Sequence, residues 1–372
     1  MKVELLVGSD AFFERLSDDI ASADDSVFVQ TFTFEGDDVG WALTDAMDAS
    51  RARDRRLLID GYSRLYHSDR WIHGPAWTDP ALRSEVRGTK DAVARLEKGG
   101  ARVRFCNPLG PSPLRLIQRN HKKLASVDDQ VVYLGGINFS DHNFEWHDMM
   151  VRIESPDLGE LLADDFRATW DDRPAAFDRT VGPFRILSLN GRGNQAGFEP
   201  VIRAIRSAER SIDIVSAYLS APFTGFLGEA AARGVRVRVL SPSENNKPNL
   251  SHHLVHAASR FDFEVLRYSG GMNHMKAMVI DDEMLIAGST NFDFMSYAVL
   301  EEYIFLTRSS DLVEAFREHV WRPEVARAVA CTEVTRAGTW WGDLAVRSGA
   351  RVASLLSRPA PPAGTSAPGS AV

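Results

Sequence analysis

The chain has 372 residues, 44% of them hydrophobic and 25% charged, an ordinary globular composition that favours two domains or one large one. Its two cysteines, Cys106 and Cys331, are too far apart for a C-x-x-C motif and fit a reducing cytoplasm. The net charge of −8 counts against non-specific binding of nucleic acid, because proteins of that class usually carry a basic excess.

The amino-terminal residues carry no recognisable targeting signal. Residues 1–10 lack the basic segment, the apolar run and the small-residue cleavage site of a signal peptide. No stretch of the chain approaches the roughly 18–20 apolar residues that a membrane-spanning helix needs. We therefore expect a cytoplasmic protein, whose contact with the inner face of the membrane, if it acts there, is peripheral.

Helices and strands are predicted to alternate in the first half of the chain. Ser9 is the expected cap of a first helix, whose apolar residues recur at helical spacing. The alternating run Ser26–Phe34 predicts a strand. One helix and two further strands are expected at Val39–Ser50, Arg56–Asp60 and Arg102–Phe105.

The second half repeats this order. Glu199-Pro200 is expected at the start of a helix, where proline is favoured, and Ser211–Leu219 alternates like the earlier strand. One helix and two strands are expected at Phe226–Arg233, Val235–Leu240 and Phe263–Arg267. The repeated alternation predicts an α/β fold whose two halves are related by an approximate two-fold axis.

Three segments fall outside this repeat. Tyr62–Thr89 lengthens the first half, is rich in Tyr, Trp, His, Arg and Pro, and is predicted to be a long loop or lid. Asp171–Pro183 is the predicted linker, and the Pro/Ala/Gly/Ser-rich segment Pro359–Val372 is predicted to be disordered. We expect an amino-terminal lobe at 1–175, a carboxy-terminal lobe at 184–330 and an extension at 331–372.

One motif occurs twice, and both copies fit the pattern H-x-K-x4-D-x6-G-(G/S)-x-N. The copies comprise His121, Lys123, Asp128, Gly135 and Asn138, and then His274, Lys276, Asp281, Gly288 and Asn291. The offset is 153 residues at each of these positions, and this fixed register indicates an internal duplication. A lone H-x-K is usually a solvated strand pair, but two copies in register indicate one functional site.

Each copy is predicted to form a β-hairpin. The paired strands are Leu124–Val127 with Val131–Leu134, and Ala277–Ile280 with Met284–Ala287. Because residues i and i+2 of a strand share a face, the histidine and lysine of each copy point the same way. Asp128 and Asp281 lie at the distant turn and are interpreted as structural. The returning strand brings Asn138 or Asn291 back beside the His-Lys pair.

Two imidazoles that meet across a two-fold axis can divide one displacement at phosphorus. One ring attacks and forms a covalent intermediate, while the other protonates the leaving oxygen and then deprotonates the acceptor. The lysines and asparagines neutralise the equatorial oxygens, so we expect no metal and no other cofactor. The candidate catalytic residues are His121, Lys123, Asn138, His274, Lys276 and Asn291.

Two acidic residues are candidates for orienting these histidines. Asp148 lies 27 residues after His121, and Glu302 lies 28 residues after His274. A carboxylate bonded to one ring nitrogen fixes the tautomer and stabilises the imidazolium. The alternative interpretation is that both are ordinary surface carboxylates.

Two further polar clusters have less specific interpretations. The histidine cluster within His252–His256 has no counterpart in the first half, so a polar helix face or a cleft rim is preferred over a metal site. The basic run within Arg115–Lys123 is by default a solvated face. Its position beside His121 nevertheless favours an anionic substrate.

With both motif copies assembled, the sequence resembles the phospholipase D superfamily, whose signature is this doubled motif. The second copy matches the family pattern fully, whereas the first has Gly136 where serine is usual. Two segments, Thr31–Glu35 and Trp146–Glu154, resemble bacterial cardiolipin synthases in particular. The resemblance extends over residues 1–330, although the chain lacks the amino-terminal membrane helices of typical bacterial cardiolipin synthases.

The resemblance implies two pseudo-symmetric phospholipase D-like lobes, each a mixed β-sheet flanked by helices, fused face to face around one site. It also implies a phosphohistidine intermediate and metal independence. By analogy His121 is the nucleophile and His274 the acid/base, an order that the residues alone leave open.

Three functions follow as hypotheses. The leading one is a phosphatidyltransferase or phospholipase D-type enzyme. Such an enzyme transfers a phosphatidyl group from a phospholipid such as phosphatidylglycerol to an alcohol acceptor or to water. The alternative is a metal-independent nuclease or phosphodiesterase, which the acidic net charge disfavours. The third is a non-catalytic anion-binding protein, against which the intact histidines and lysines argue.

Overall fold

A computed structural model describes residues 1–72, 78–110, 113–331 and 336–356. Its first half forms β1 (Lys2–Val7), α1 (Ser9–Ser22), β2 (Ser26–Thr31), α2 (Asp38–Ala49), β3 (Asp54–Asp60), β4 (Tyr66–His67), β5 (Arg70–Trp71), α3 (Pro80–Lys98), β6 (Arg102–Cys106), α4 (Pro113–Ile117), β7 (Leu124–Val127), β8 (Val131–Gly135), α5 (Asp141–Phe144), β9 (Met149–Glu154) and α6 (Pro156–Trp170).

The second half forms β10 (Phe177–Val181), β11 (Phe184–Asn190), α7 (Asn194–Gly197), α8 (Glu199–Arg206), β12 (Ser211–Ser216), α9 (Phe223–Ala232), β13 (Arg236–Pro242), α10 (Pro248–Phe261), β14 (Glu264–Tyr268), β15 (Lys276–Ile280), β16 (Met284–Gly288), α11 (Phe294–Ala298), β17 (Glu301–Thr307), α12 (Ser310–Phe316), α13 (Arg322–Arg327), β18 (Val329–Ala330) and α14 (Arg336–Leu356). A short 3-10 helix occupies Gly61–Arg64, and one π-helical stretch occupies Arg317–Trp321.

The two halves build sheets with the same strand order. The seven-stranded sheet runs β1-β9-β8-β7-β2-β3-β6, and the nine-stranded sheet contains the equivalent run β11-β17-β16-β15-β12-β13-β14 between the edge strands β10 and β18. In both runs the last three strands are parallel and the other neighbours are antiparallel. We call β1–α6 the first lobe and β10–β18 the second lobe. The predicted fold class, two pseudo-symmetric α/β lobes, is confirmed.

The lobes pack against each other through their sheets together with α6 and α12. Phe28 of β2 and Tyr303 of β17 belong to one apolar cluster that contains side chains of both sheets. The next residue along β2, Val29, belongs instead to the cluster beneath the helices of the first lobe, as strand alternation requires. Full burial of one such side chain contributes about 1.5–3 kcal/mol. Because both faces of each sheet are covered, the central strands β2, β12 and β17 are buried at every residue.

The prediction of a long loop at Tyr62–Thr89 is wrong for much of this segment. Tyr66 pairs with Trp71 in a small hairpin of β4 and β5, and α3 begins at Pro80. Asp79 caps this helix by accepting from the N–H of Ala81, and the buried residues Leu82, Val86 and Thr89 recur at helical spacing. Residues 73–77 lie outside the described part of the chain.

Two smaller predictions also need correction, and a third concerns residues outside the described part of the chain. Helix α1 begins at Ser9, so Gly8 holds the capping position and no side chain caps the helix. The predicted linker Asp171–Pro183 contains β10, whose Asp178 forms an ion pair with Arg185 of β11. The predicted disorder from Pro359 onward falls outside the described residues.

The carboxy-terminal helix α14 docks on the second lobe. Val346 packs in a cluster with Tyr218 and Leu250, and Ala353 packs against the segment that carries Leu300. Its Asp343 accepts a hydrogen bond from His253 of α10 at 2.8 Å. Residues of the predicted extension therefore contact the body of the protein.

Candidate active site

Each motif histidine is paired with a carboxylate from the other lobe. Nδ1 of His121 lies 3.0 Å from Oε1 and 3.2 Å from Oε2 of Glu302. Nδ1 of His274 lies 2.8 Å from Oδ2 of Asp148. The sequence singled out both carboxylates for this role, and the structure exchanges them between the lobes.

Backbone hydrogen bonds between the lobes position these pairs. The N–H of His121 donates to the carbonyl of Glu301 at 2.9 Å, so the next residue, Glu302, is brought beside the ring. In the second copy the N–H of His274 donates to the carbonyl of His147 at 2.8 Å, and Asp148 follows directly. The same local geometry therefore builds both halves of the site.

The motif lysines are fully buried beside the histidines. Lys123 Nζ donates to the carbonyl of His121 at 2.8 Å, and Lys276 Nζ donates to the carbonyl of His274. Lys276 Nζ also lies 3.4 Å from Oδ2 of Asp148. We assign the Nδ1 proton of His274 to its hydrogen bond with Asp148. The carboxylate can accept this proton, whereas the ammonium of Lys276 can only donate. Each ring then keeps a lone pair on Nε2.

The one departure between the two motif copies has a steric cause. Ser289 donates its hydroxyl to Glu302, which also accepts from the hydroxyl of Ser296 at 2.8 Å. At the equivalent Gly136, a Cβ atom would lie less than 3 Å from both carboxylate oxygens of Asp148. Serine therefore supports one orienting carboxylate, whereas the other carboxylate occupies the space that a side chain would need.

Both imidazoles line one cavity of about 420 Å³, which we call the central cavity. Asn138 and Asn291 line it as well, whereas Lys123 and Lys276 are buried against the carbonyls of the two histidines. Asn138 is held by its side-chain amide, which donates to Asn143 at 3.2 Å. Aromatic rings that the sequence analysis did not assign to the site complete the walls: Phe32, 5.1 Å from the His121 ring, and Trp146 and Tyr218, 4.8 and 5.7 Å from the His274 ring.

Burial dominates the electrostatics of the histidines. Desolvation lowers the pKa of His121 to about 4, with Lys123 adding to the effect and Glu302 opposing it. Desolvation and the charge of Lys276 lower the pKa of His274 to about 3. Both rings are consequently neutral at pH 7 before an anion enters the cavity, and a neutral ring is the nucleophilic form.

The pKa values of the two motif lysines and of the two orienting carboxylates are also shifted. Burial also lowers the pKa of Lys123 and Lys276. Burial by itself would raise the pKa of Glu302 and Asp148. The contact with His121 and the charge of Lys123 outweigh it for Glu302, and the charge of Lys276 and the contact with His274 outweigh it for Asp148, so both pKa values lie below the usual range. An anionic phosphate in the cavity would stabilise the two ammonium groups that burial disfavours.

The chain matches one described family over both lobes. Residues 16–170 and 201–322 match the profile of the family described as "Cardiolipin synthase, PLD-like domain". The two matched segments cover most of the chain, and each contains one copy of the motif. The chain belongs to this family. Its resemblance to the phospholipase D superfamily is thereby confirmed.

Curated relatives of this chain include cardiolipin synthases. The chain is 26% identical over 344 residues to the major cardiolipin synthase ClsA of Bacillus subtilis, covering 82% of the chain and 66% of the relative. It is 27% identical over 382 residues to cardiolipin synthase A of Pseudomonas fluorescens, covering 96% of the chain and 74% of the relative. The chain thus spans about two thirds to three quarters of the length of these relatives.

A solved structure shares the fold of this family member over nearly its full length. Phosphatidylserine synthase of Haemophilus influenzae superposes with a TM-score of 0.71 at 12% identity, covering 95% of this chain and 94% of that one. At this identity the likeness concerns the fold. Separately, none of the described helices combines the length and apolarity that crossing a bilayer requires.

The motif aspartates of this family member lie away from the central cavity. The carboxylate of Asp128 accepts three backbone N–H groups, from Asp24 at 3.1 Å and from Asp25 and Ser26 at 2.8 Å. Asp281 accepts the equivalent three, from Glu209, Arg210 and Ser211 at 2.7–2.9 Å. Both aspartates adopt left-handed backbone angles in the hairpin turn. These contacts support their interpretation as structural residues.

Most of the basic run near His121 is not a solvated face, although Arg115 is exposed. Arg119 is buried and donates to Asp60 at 3.1 Å, and Lys122 is fully buried between the lobes, where its ammonium donates to Asp165. Sequence reasoning missed this because consecutive charges do not reveal partners that arrive from distant strands. Breaking a buried ion pair of this kind costs about 3–5 kcal/mol.

The histidine cluster of the second lobe packs against α14. His253 is buried and bonded to Asp343, and His256 lies 3.6 Å from the same carboxylate. Within the described residues, no group of three or more His, Cys, Asp or Glu side chains is arranged to hold a metal ion. The preferred interpretation as a polar helix face therefore needs one correction, since His253 is buried.

Proposed function

We propose that this phospholipase D-superfamily enzyme is a phosphatidyltransferase of the cardiolipin synthase kind, which cleaves a phospholipid phosphodiester through a covalent phosphohistidine. The observation that carries the proposal is the exchange of Glu302 and Asp148 between the lobes, which orients two neutral imidazoles at one cavity. The cardiolipin synthases among its relatives support a phospholipid substrate.

The first step begins at His121. Its Nδ1 is bonded to Glu302, so the lone pair on Nε2 is the one that attacks phosphorus. The N–P bond forms as the P–O bond to the departing alcohol breaks. Glu302 stabilises the positive charge that the ring acquires.

His274 carries the proton in both directions. Its pKa of about 3 rises when an anionic phosphodiester enters the cavity, because the negative charge favours the protonated ring. The protonated ring gives its Nε2 proton to the departing oxygen, while Asp148 holds Nδ1. The neutral ring then takes the hydroxyl proton of the acceptor, whose oxygen forms a P–O bond as the N–P bond breaks.

The lysines and asparagines stabilise the transferring phosphoryl group. Lys123 and Lys276 supply the positive charge for its non-bridging oxygens, and Asn138 and Asn291 add neutral donors. Each lysine donates a hydrogen bond to the backbone carbonyl of its motif histidine, so the ammonium group is held in a fixed position relative to that histidine. This preorganisation reduces the rearrangement that the transition state requires.

Phosphatidylglycerol is the proposed donor, an alcohol or water is the acceptor, and contact with the membrane is peripheral. Purified protein is incubated with phosphatidylglycerol vesicles, with and without added glycerol, and the lipids are measured by mass spectrometry. We expect a transfer or hydrolysis product that disappears in His121→Ala and in His274→Ala. Absence of lipid turnover under every condition would refute the proposal.

The nuclease alternative loses its main structural support. Arg119 and Lys122, which the sequence offered as a surface for an anionic backbone, are bonded internally to Asp60 and Asp165. Nicking of plasmid DNA in the presence of EDTA, lost in His121→Ala, would restore that alternative.

A further inference from the structure

Lys247 lines the central cavity without belonging to either motif. It lies immediately before α10 and is among the exposed residues. Desolvation lowers the pKa of Lys247, and the charges of Asp293 and Asp69 oppose this effect. Within the described part of the chain, no carboxylate forms an ion pair with its ammonium. Asp293 is already engaged as the cap of α11, where it accepts from the N–H of Ser296 at 2.9 Å. The ammonium is therefore available to a ligand.

Contacts within its own loop hold Lys247 near the reacting centre. Its N–H donates to Oδ1 of Asn245 at 2.7 Å, and the Asn245 amide donates to the carbonyl of Ala217 at 2.8 Å. Its Nζ lies 4.3 Å from the centroid of the Tyr218 ring, which lies 5.7 Å from the ring of His274. One aromatic ring thus separates this cation from the proposed acid/base.

The hairpin of β4 and β5 reaches the same loop from the first lobe. The amide of Asn246 donates to Oδ2 of Asp69 at 3.1 Å, and Asn246 also accepts the hydroxyl of Tyr218. Asp69 and Asn246 both line the central cavity. Lys247 is therefore part of a polar subsite to which both lobes contribute.

The equivalent position in the first lobe carries the opposite charge. Helices α3 and α10 occupy the same place in the strand order, and each begins with proline after the capping residue, which is Asp79 in one and Lys247 in the other. Asp79 is committed to Arg70, at 2.9 Å, and to its own helix. The two flanks of a nearly symmetric site therefore differ, because the position of Lys247 corresponds to an aspartate in the first lobe.

We propose that Lys247 binds the phosphate of a second phospholipid and so selects a phosphate-bearing acceptor over glycerol or water. The inference rests on the proposed function. Lys123 and Lys276 already serve the transferring phosphoryl group, so a third cation is required only when a second anion enters. The acceptor's free hydroxyl then gives its proton to His274, its oxygen bonds to phosphorus, and the bond from phosphorus to His121 breaks.

The test measures how the transferred group divides between two acceptors. Wild-type protein, Lys247→Gln and Lys247→Arg are given phosphatidylglycerol vesicles with deuterated glycerol. The ratio of two-phosphate lipid to deuterium-labelled phosphatidylglycerol is then read by mass spectrometry. We expect Lys247→Gln to lower this ratio about tenfold, because the ammonium can give the acceptor phosphate a charge-assisted hydrogen bond and the neutral amide cannot. Lys247→Arg should restore most of it, and Lys90→Gln, on an exposed face of α3, should leave it unchanged.

The outcomes separate the inference from the function on which it rests. An unchanged ratio in Lys247→Gln, with both products formed, overturns the acceptor role and leaves the transferase function standing. A parallel loss of both products overturns it as well, because Lys247 would then act on the transferring phosphate. Absence of both products in the wild-type protein refutes the proposed function itself, and the acceptor role with it.

Discussion

Glu302 Oε1 lies 3.0 Å from Nδ1 of His121, although 181 residues separate them and they belong to different lobes. The equivalent contact of Asp148 with His274 makes the dependence mutual. Neither lobe supplies both the motif histidine and the carboxylate that is bonded to it. The duplication has therefore produced one shared site, and separating the lobes would remove the orienting partner of both rings at once.

Replacing either orienting carboxylate should abolish most activity while leaving the fold intact. Glu302→Gln and Asp148→Asn keep their shape but lose the charge that stabilises an imidazolium, so we expect kcat for lipid turnover to fall at least about 100-fold in each. Steady-state assays on phosphatidylglycerol vesicles measure this. Glu283→Gln, which removes an exposed carboxylate paired with Arg210 and Arg308, serves as the control. Wild-type kcat in Glu302→Gln would argue against the cross-lobe pairing.

The substitution Gly136→Ala should impair catalysis through Asp148. The added Cβ would lie less than 3 Å from a carboxylate that is buried and bonded to His274, so the ring must move. Misplacement of a catalytic group by about 1 Å can cost roughly 100-fold in rate, and we expect a loss of that order. The matched control is Gly225→Ala in α9, where a Cβ meets no atom within 4 Å. Equal activity of the two variants would contradict the steric explanation.

The buried histidines should make the protein sensitive to mild acid. The unfolded chain protonates these rings near pH 6.5, whereas the folded pKa values are about 4 for His121 and about 3 for His274. Below pH 6.5 the unfolded state therefore binds more protons, and stability falls as the pH decreases. Thermal unfolding between pH 7 and pH 5 should show a smaller decrease in Tm for the double variant His121→Asn, His274→Asn than for the wild type. If Tm falls equally with pH in both proteins, other groups govern stability between pH 7 and pH 5.

The motif aspartates should matter for stability rather than for chemistry. Asp128→Ala removes an acceptor of three backbone N–H groups and places alanine at a φ of +52°, so we expect the free energy of unfolding to fall by about 2–4 kcal/mol. Asp281→Ala should behave alike, since its contacts are the same. Chemical denaturation gives the stability, and kcat per folded molecule should stay within about threefold of wild type. A loss of kcat in a variant of unchanged stability would indicate a direct role for the aspartate.

The duplicated motif made much of this arrangement predictable. A fixed offset between copies predicted two equivalent hairpins, and β7–β8 and β15–β16 confirm them. The matching positions of Asp148 and Glu302 marked both as partners of the rings. Spacing along one chain cannot tell which ring each carboxylate meets, because the exchange depends on how two lobes face each other.

Other features escaped prediction for physical reasons that can be named. Lys122 appeared in a charged run, and only the approach of Asp165 from α6 explains its full burial. Helix α3 was missed because aromatic and proline residues before it suggested a loop, although Leu82 and Val86 carry the helical spacing. Lys247 corresponds to an aspartate, Asp79, in the first lobe, so the repeat did not mark it as a site residue.

The most direct test of the central claim is to trap the covalent intermediate on a histidine. The enzyme is mixed with phosphatidylglycerol, quenched at a fraction of one turnover, digested and analysed by mass spectrometry. We predict a phosphatidyl adduct on His121 that is absent from His121→Ala. Rapid lipid turnover with no adduct on His121 or His274, or undiminished turnover in His121→Ala, would contradict the account.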